Sequence, residues 1–205
     1  MNMVSLGSKG FHGRPVAVGR SGTVAALDVG SSKISCFIAK IEPGRMSNGH
    51  APVRVIGIGH QVSRGIRAGA VVDMDAAEDA IRIAVDAAER MAGVTIKDVV
   101  VSVSGGDPKS QTVGVKTSVS GPEVTDADCA RLIAYAQANF QPDARDVLHA
   151  IPTNYSIDGA RGVRDPRGMF GEKLGVDVHM VSGLRGPLRN LELCIERCHL
   201  SVAGI

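Results

Sequence analysis

Several large protein classes are excluded by what this sequence lacks. Aromatic residues make up 3% of its 205 positions and Trp is absent, so few side chains could stack on nucleic-acid bases. The net charge is only +2, and three bases precede the first acid, Asp28. The remaining 20 bases and 21 acids leave the rest of the chain nearly neutral. We therefore predict no nucleic-acid partner.

Cysteines and long apolar runs are also scarce. Four cysteines are too few for a disulfide framework in a chain of this length. No run approaches the ~20 apolar residues that a membrane-spanning helix requires. The first 22 residues have no apolar core of the kind that signal peptides carry. These features predict a cytoplasmic protein with free thiols, and residues 1–21 are predicted to be a flexible basic tail.

The hydrophobic pattern after this tail predicts three strands and a helix. Two short buried strands, 24–29 and 34–41, flank a Gly-Ser-Ser turn, and a third follows at 53–61, which favours an antiparallel meander. Asp73 or Asp75 can cap the helix that follows, and Gly93 ends it. Its predicted inward stripe consists of Ala77, Ile81, Ala84, Ala88 and Met91.

The segment 94–183 is predicted to be a separate α+β unit of strand–helix–strand–strand order. Thr125 is the predicted cap of its helix, whose inward face would consist of Cys129, Leu132, Ile133 and Ala136. The strand around 112–121 alternates apolar and polar residues and carries Lys116, which is typical of an exposed sheet edge. A final helix is predicted at 187–198. The apolar residues 201–205 then begin a strand with no partner after it, as if the fold were interrupted.

The turn between the first two strands, "DVGSSK", is the candidate functional motif. Asp and Ser around a Gly are common in ordinary hairpins, where they bond the neighbouring backbone. The same residues can also bind phosphate, because N–H groups and hydroxyls around a Gly turn form a concavity for anions. Gly30, Ser31, Ser32 and Lys33 would then contact the phosphate, and Asp28 would hold a metal ion through water. The spacing of a Walker loop and the third Gly of a dinucleotide fingerprint are both missing.

A hairpin with Asp-x-Gly-Ser at the start of a domain resembles the first phosphate loop of the actin, chaperone ATPase and sugar-kinase superfamily. Further stretches resemble one of its members, the FtsA family of bacterial cell-division proteins. They are Ser63-Arg64-Gly65 with Gly69 and Asp73, then "VSVSGGDPKSQ", "LHAIPTNYSID" at 148–158, and "PRGMFG" at 166–171. Together they cover the chain from residue 23 to its end.

The resemblance implies an α/β fold, namely an actin-like ATPase lobe built from an antiparallel meander and helices. The lobe would comprise residues 22–93 and, after an inserted FtsA-specific α+β domain at 94–183, residues 184–205. It also implies that ATP and Mg²⁺ bind in the full-length protein at the residues given above. The chain would be its amino-terminal half and would bind nucleotide poorly alone.

The function implied is that of an adaptor. Such a protein binds ATP, tethers FtsZ filaments to the cytoplasmic face of the inner membrane at the division site, and recruits later division proteins. Self-association and recruitment would use the inserted domain, whereas FtsZ and membrane contacts would lie outside this chain, the latter in a C-terminal helix. The implied protein is not an enzyme, although weak ATPase activity of the full-length form is compatible with it.

The sequence leaves two other functions open. One is a pilus-assembly scaffold related to FtsA, which the stretches 148–158 and 166–171 disfavour. The other is a sugar kinase or polyphosphatase, for which "DVGSSK" alone would serve but to which no catalytic acid can be assigned. A metal site at Cys194, Cys198 and His199 would lack a second ligand pair, and both cysteines fall on an apolar helix face.

Overall fold

The computed structural model describes residues 22–41 and 52–205, so the predicted tail at 1–21 lies outside the described residues. The described elements, in chain order, are β1 (Gly22–Val29), β2 (Lys33–Ile41), β3 (Val53–Val62), β4 (Ile66–Arg67), β5 (Ala70–Val71), α1 (Met74–Ala92), β6 (Asp98–Ser102), β7 (Lys109–Ser118), α2 (Asp126–Asn139), β8 (Arg145–Ile157), β9 (Ala160–Val163), β10 (Lys173–Leu184), α3 (Arg185–Arg197) and β11 (Ser201–Gly204). They form two compact units. One is residues 108–183, and the other comprises the described residues before 108 together with 184–205.

The unit of residues 22–41, 52–107 and 184–205 contains a five-stranded sheet of order β11-β6-β1-β2-β3. β1, β2 and β3 form the predicted antiparallel meander, and β6 and β11 run parallel to β1. The core-facing residues of β1 and β2 are apolar and buried, whereas Ala26 and Phe37 on the opposite face are exposed, as in a sheet with one face on the core. This core also includes Leu191, Cys194 and Ile195 of α3.

The helix α1 begins and ends where the sequence predicts. The Asp73 side chain accepts a hydrogen bond from Ala76 N, and Gly93 closes the helix with a φ of 68°. Of the predicted stripe, Ala77, Ile81, Ala84 and Ala88 are fully buried, but Met91 is 65% exposed. The prediction for Met91 is wrong because Ala92 faces the sheet in the last turn, where it lies against Gly57 of β3.

The unit 108–183 contains a four-stranded sheet of order β7-β10-β8-β9, covered by α2. Thr125 and Asp128 form a reciprocal capping box at the start of α2. The predicted inward residues of this helix are all buried, namely Cys129, Leu132, Ile133 and Ala136. The strand predicted to be an edge is β7, which pairs only with β10 in this sheet.

The structure corrects one prediction about domain organisation. The inserted unit does not begin at residue 94, because β6 pairs in parallel with β1 and therefore belongs to the five-stranded sheet. The boundary lies between Asp107 and Pro108 instead. The last strand, β11, pairs in parallel with the earlier strand β6. The short strand β9 adds to the predicted strand–helix–strand–strand order.

Candidate phosphate-binding site

The turn between β1 and β2 brings the predicted phosphate-binding residues together. Gly30 N donates to Lys33 O at 3.0 Å and closes the turn. A Cβ at Gly30 would stand 3.0 Å from that same oxygen, so the turn has little room for a side chain there. The side chains of Ser31, Ser32 and Lys33 are exposed. Neither Ser31 N nor Ser32 N donates a hydrogen bond within the described residues, which leaves two consecutive N–H groups for an anion.

Asp28 belongs to a polar row that crosses the sheet beside this turn. It lies opposite Ser35 of β2 and Ser102 of β6, and Ser35 in turn lies opposite His60 of β3. Residues paired in this way project from the same face of a sheet. The row also lies at the carboxyl ends of the parallel strands β1 and β6, where open α/β sheets bind their ligands. Sequence reasoning found Asp28 but missed the other three, since only the strand order brings them together.

A second chain segment supports the turn from one side. Ser31 Oγ accepts a hydrogen bond from Gly69 N at 2.9 Å, and Ser32 O accepts one from Ser63 N at 3.0 Å. Gly69 lies in the tight turn between β4 and β5, with a φ of 73° that favours glycine. Sequence reasoning assigned Gly69 only to a family motif. The hydrogen bond to Ser31 is a role that no local pattern signals.

The backbone at Gly69 is in turn packed directly against the segment after β6. A Cβ at Gly69 would stand 2.5 Å from Gly105 Cα, and one at Gly105 would stand 2.0 Å from Gly69 O. Both distances are far below any normal carbon contact, so each residue must be glycine for the two backbones to meet. The turn at 30–33, the β4–β5 turn and the segment after Ser102 therefore converge on one end of the sheet.

The residues present fit a phosphate group and a hydrated magnesium ion. Two N–H groups, two hydroxyls and the Lys33 ammonium surround the turn, and the half-buried Asp28 supplies a carboxylate beside it. Within the described residues no cluster of three or more His, Cys, Asp or Glu could hold a metal ion. Mg²⁺ in phosphate sites does not require one, because it is held by one or two carboxylates, substrate phosphates and water.

The surroundings of Cys194 and Cys198, the other candidate metal ligands, disfavour metal binding. Cys194 Sγ lies 3.8 Å from Met74 O and Cys198 Sγ lies 3.6 Å from Glu78 O, so both thiols face the backbone of α1. Burial is the main cause that raises the pKa of Cys194 to about 12 and that of Cys198 to about 11. Metal ligation needs the thiolate, which these surroundings disfavour.

In the described part of the chain, none of the helices combines the length and the apolar character needed to cross a membrane.

The fold and the site together define an actin-like lobe that carries an inserted α+β domain. Residues 105–182 match the family described as the SHS2 domain inserted in FtsA. Over 196 residues the chain is 44% identical to cell division protein FtsA of Agrobacterium fabrum, covering 94% of this chain and 44% of that protein. It is 30% identical to FtsA of Escherichia coli K12 over 179 residues, or 87% of this chain and 41% of that protein. The chain belongs to the FtsA family, and it spans less than half the length of these relatives.

A solved structure supports the same fold. A chain of the PilM-PilN type IV pilus biogenesis complex superposes with a TM-score of 0.57, covering 89% of this chain and 46% of that one. The sequence identity is only 12%, so this similarity concerns the fold alone. It therefore adds no support to a role in pilus assembly.

Proposed function

We propose that this chain is the phosphate-binding part of an ATP-binding, actin-like adaptor protein of bacterial cell division. One observation carries the proposal: a turn with two unused N–H groups lies beside Asp28 at the carboxyl end of β1, in a chain of the FtsA family. The turn alone would fit an ordinary hairpin. Its position in the sheet and its support by Gly69 favour the phosphate-binding function.

The residues of the turn have separate roles in this proposal. The N–H groups and hydroxyls of Ser31 and Ser32 donate hydrogen bonds to the β- and γ-phosphates of ATP, and Lys33 adds a positive charge. Asp28 holds Mg²⁺ through water, and the ion neutralises phosphate charge. Gly30 lets the backbone close tightly enough to present these groups together.

The unit 108–183 is proposed to bind proteins rather than nucleotide. Its strand β7 is an edge, and every second residue from Gly114 to Ser118 is exposed, including Lys116. A charged side chain on an edge strand discourages non-specific pairing, yet a specific partner can still add a strand there. The proposed partners are a neighbouring copy of the protein and later division proteins.

The remaining parts of the adaptor role are assigned outside this chain. Tethering of FtsZ filaments and attachment to the cytoplasmic face of the membrane are proposed for the rest of the full-length protein. The proposed role is structural rather than enzymatic, since it requires nucleotide binding but no turnover.

Nucleotide titration tests the proposal. The chain would be grafted in place of the corresponding residues of full-length FtsA of Agrobacterium fabrum, and Mg·ATP binding measured by calorimetry. Ser31→Ala should weaken binding by about 1.5–3 kcal/mol, the value of a hydrogen bond to a charged group, and Lys33→Ala should also weaken it. Lys40→Ala is the matched control, because Lys40 is an exposed lysine at the other end of β2. If Ser31→Ala and Lys33→Ala bound Mg·ATP as tightly as the control Lys40→Ala, the proposed phosphate site would be refuted.

The chain alone provides a second measurement. It supplies one wall of a two-lobed cleft, so adenine and ribose would remain in water and the phosphates would be bound from one side only. We expect the 205-residue chain to bind ATP more weakly than micromolar. Micromolar or tighter binding would show that the site is complete without a second lobe.

A further inference from the structure

The phosphate turn is connected to the junction between the two units by three successive contacts. The first is the hydrogen bond from Gly69 N to Ser31 Oγ, at 2.9 Å. The second is the backbone contact between Gly69 and Gly105. The third is the hydrogen bond from Leu184 N to Gly106 O, at 2.7 Å.

The third contact lies where the chain leaves one unit and returns to it. The unit boundaries fall after Asp107 and before Leu184, so the Gly106–Leu184 bond ties the outgoing segment to the returning one. All the bonded and contacting atoms belong to the unit that holds the phosphate turn. The contacts therefore reach from the phosphate turn to the junction inside one compact unit.

The first two contacts transmit a displacement by separate physical routes, and Gly106 follows Gly105 directly in the chain. The Ser31 hydroxyl has one proton and two lone pairs, so it can accept from Gly69 N and donate to a phosphate oxygen together. Donation to an anion polarises the hydroxyl and strengthens the bond that it accepts. Gly69 and Gly105 have no side chains between their backbones, so a shift of one backbone must move the other.

We propose that the contacts through Ser31, Gly69 and Gly105 link phosphate binding at the turn to the stability of the Gly106–Leu184 junction. Phosphate at the turn stabilises the hydrogen bond between Leu184 N and Gly106 O, and by reciprocity an intact bond there favours phosphate binding. In this linkage Ser31 is a positioning residue as well as a phosphate ligand. The phosphate part of the inference rests on the proposed function, whereas the contacts themselves do not.

Hydrogen exchange of the 205-residue chain without nucleotide tests the contacts. Ser31→Ala should speed exchange at Gly69 N by about threefold to tenfold, as expected for loss of one hydrogen bond, and should also speed exchange at Leu184 N by at least about twofold. Ser31→Thr keeps the hydroxyl and should restore both rates. Ser201→Ala, at an exposed serine of the same unit, is the control. Faster exchange at Gly69 N with an unchanged exchange rate at Leu184 N would overturn the linkage. An unchanged exchange rate at Gly69 N would overturn its first step.

Exchange of the full-length chimera with and without saturating Mg·ATP tests the phosphate part. Leu184 N should exchange more slowly with nucleotide in the unmodified and Ser31→Thr proteins, but not in Ser31→Ala at its own saturating concentration. Calorimetry separates the two possible failures. Failure to bind ATP at all would refute the proposed function and the phosphate part of the linkage. Normal binding with unchanged exchange at Leu184 would refute only the linkage.

Discussion

Replacing Gly59 by Ala tests how closely β3 packs on α1. A Cβ at this position would stand 1.9 Å from Ala84 O and 2.8 Å from Ala88 N. Both atoms belong to the backbone of α1, so no side-chain rotation can make room. The strand or the helix must move as a whole, and the buried alanines between them would lose contact with the sheet.

The expected cost follows from this geometry. Overpacking of a well-packed core costs about 1–3 kcal/mol, and a backbone obstacle places Gly59→Ala at about 3 kcal/mol or more on the same scale. Gly186→Ala is the matched control, since nothing beyond its chain neighbours and the backbone of its own helix lies within 4 Å of its Cβ position in the first turn of α3. That change should instead stabilise the protein by about 0.4–1 kcal/mol.

Urea unfolding followed by circular dichroism measures both changes. The two tyrosines, Tyr135 and Tyr155, lie in the unit 108–183, so tyrosine fluorescence reports that unit separately. Gly59→Ala should lower the urea midpoint that circular dichroism reports for the unit with the five-stranded sheet. A free energy of unfolding within about 0.5 kcal/mol of that of Gly186→Ala, the range of neutral surface changes, would refute the close approach of β3 and α1.

Three further predictions concern the capping box and the thiols. Thr125→Ala should destabilise the unit 108–183 by about 1 kcal/mol, measured by tyrosine fluorescence in urea. The hydrogen bonds from Thr125 lower the pKa of Asp128 below its ordinary value of 3.8. Their stabilisation is therefore complete above that value and is lost as the pH falls through the folded-state pKa. Asp128→Asn should accordingly flatten the acid side of a plot of unfolding free energy against pH. Burial raises the pKa of Cys36 to about 11, that of Cys194 to about 12 and that of Cys198 to about 11. These thiols should therefore react with iodoacetamide at pH 8 much more slowly in the folded chain than in urea. Equal reaction rates would contradict their burial.

Local signals in the sequence were sufficient for the helices and the meander. A cap such as Thr125 and an inward face with helical spacing act within a few residues, and the structure contains both. The prediction that the strand β6 belongs to the inserted unit was wrong for a different reason. The three consecutive valines of β6 predict a buried strand, but they do not say which sheet buries it. One partner of β6 is β1, about 70 residues earlier, and parallel pairing across such a distance leaves no local pattern.

The candidate site shows the same division between local and distant information. "DVGSSK" predicted the turn and its exposed hydroxyls because these depend on neighbouring residues. The bond between Ser31 and Gly69 joins residues 38 positions apart, and the contact between Gly69 and Gly105 joins two loops. Glycines at these positions indicate a close approach or a positive φ, but not the partner.

The order of the strands is what makes one end of the five-stranded sheet chemically distinct. On the face that carries Asp28, the polar row lies beside the phosphate turn, and the next row, two residues farther from the turn along each strand, is apolar. That second row consists of Val100, Ala26, Phe37 and Ile58, which lie opposite one another across β6, β1, β2 and β3. Across β1, β2 and β3, the polar side chains of this face thus lie at the edge where β1 ends and where backbone N–H groups become available. A turn of the same composition at the opposite end of these strands would face neither Asp28 nor Gly69, so the motif acquires its proposed function from its place in the sheet.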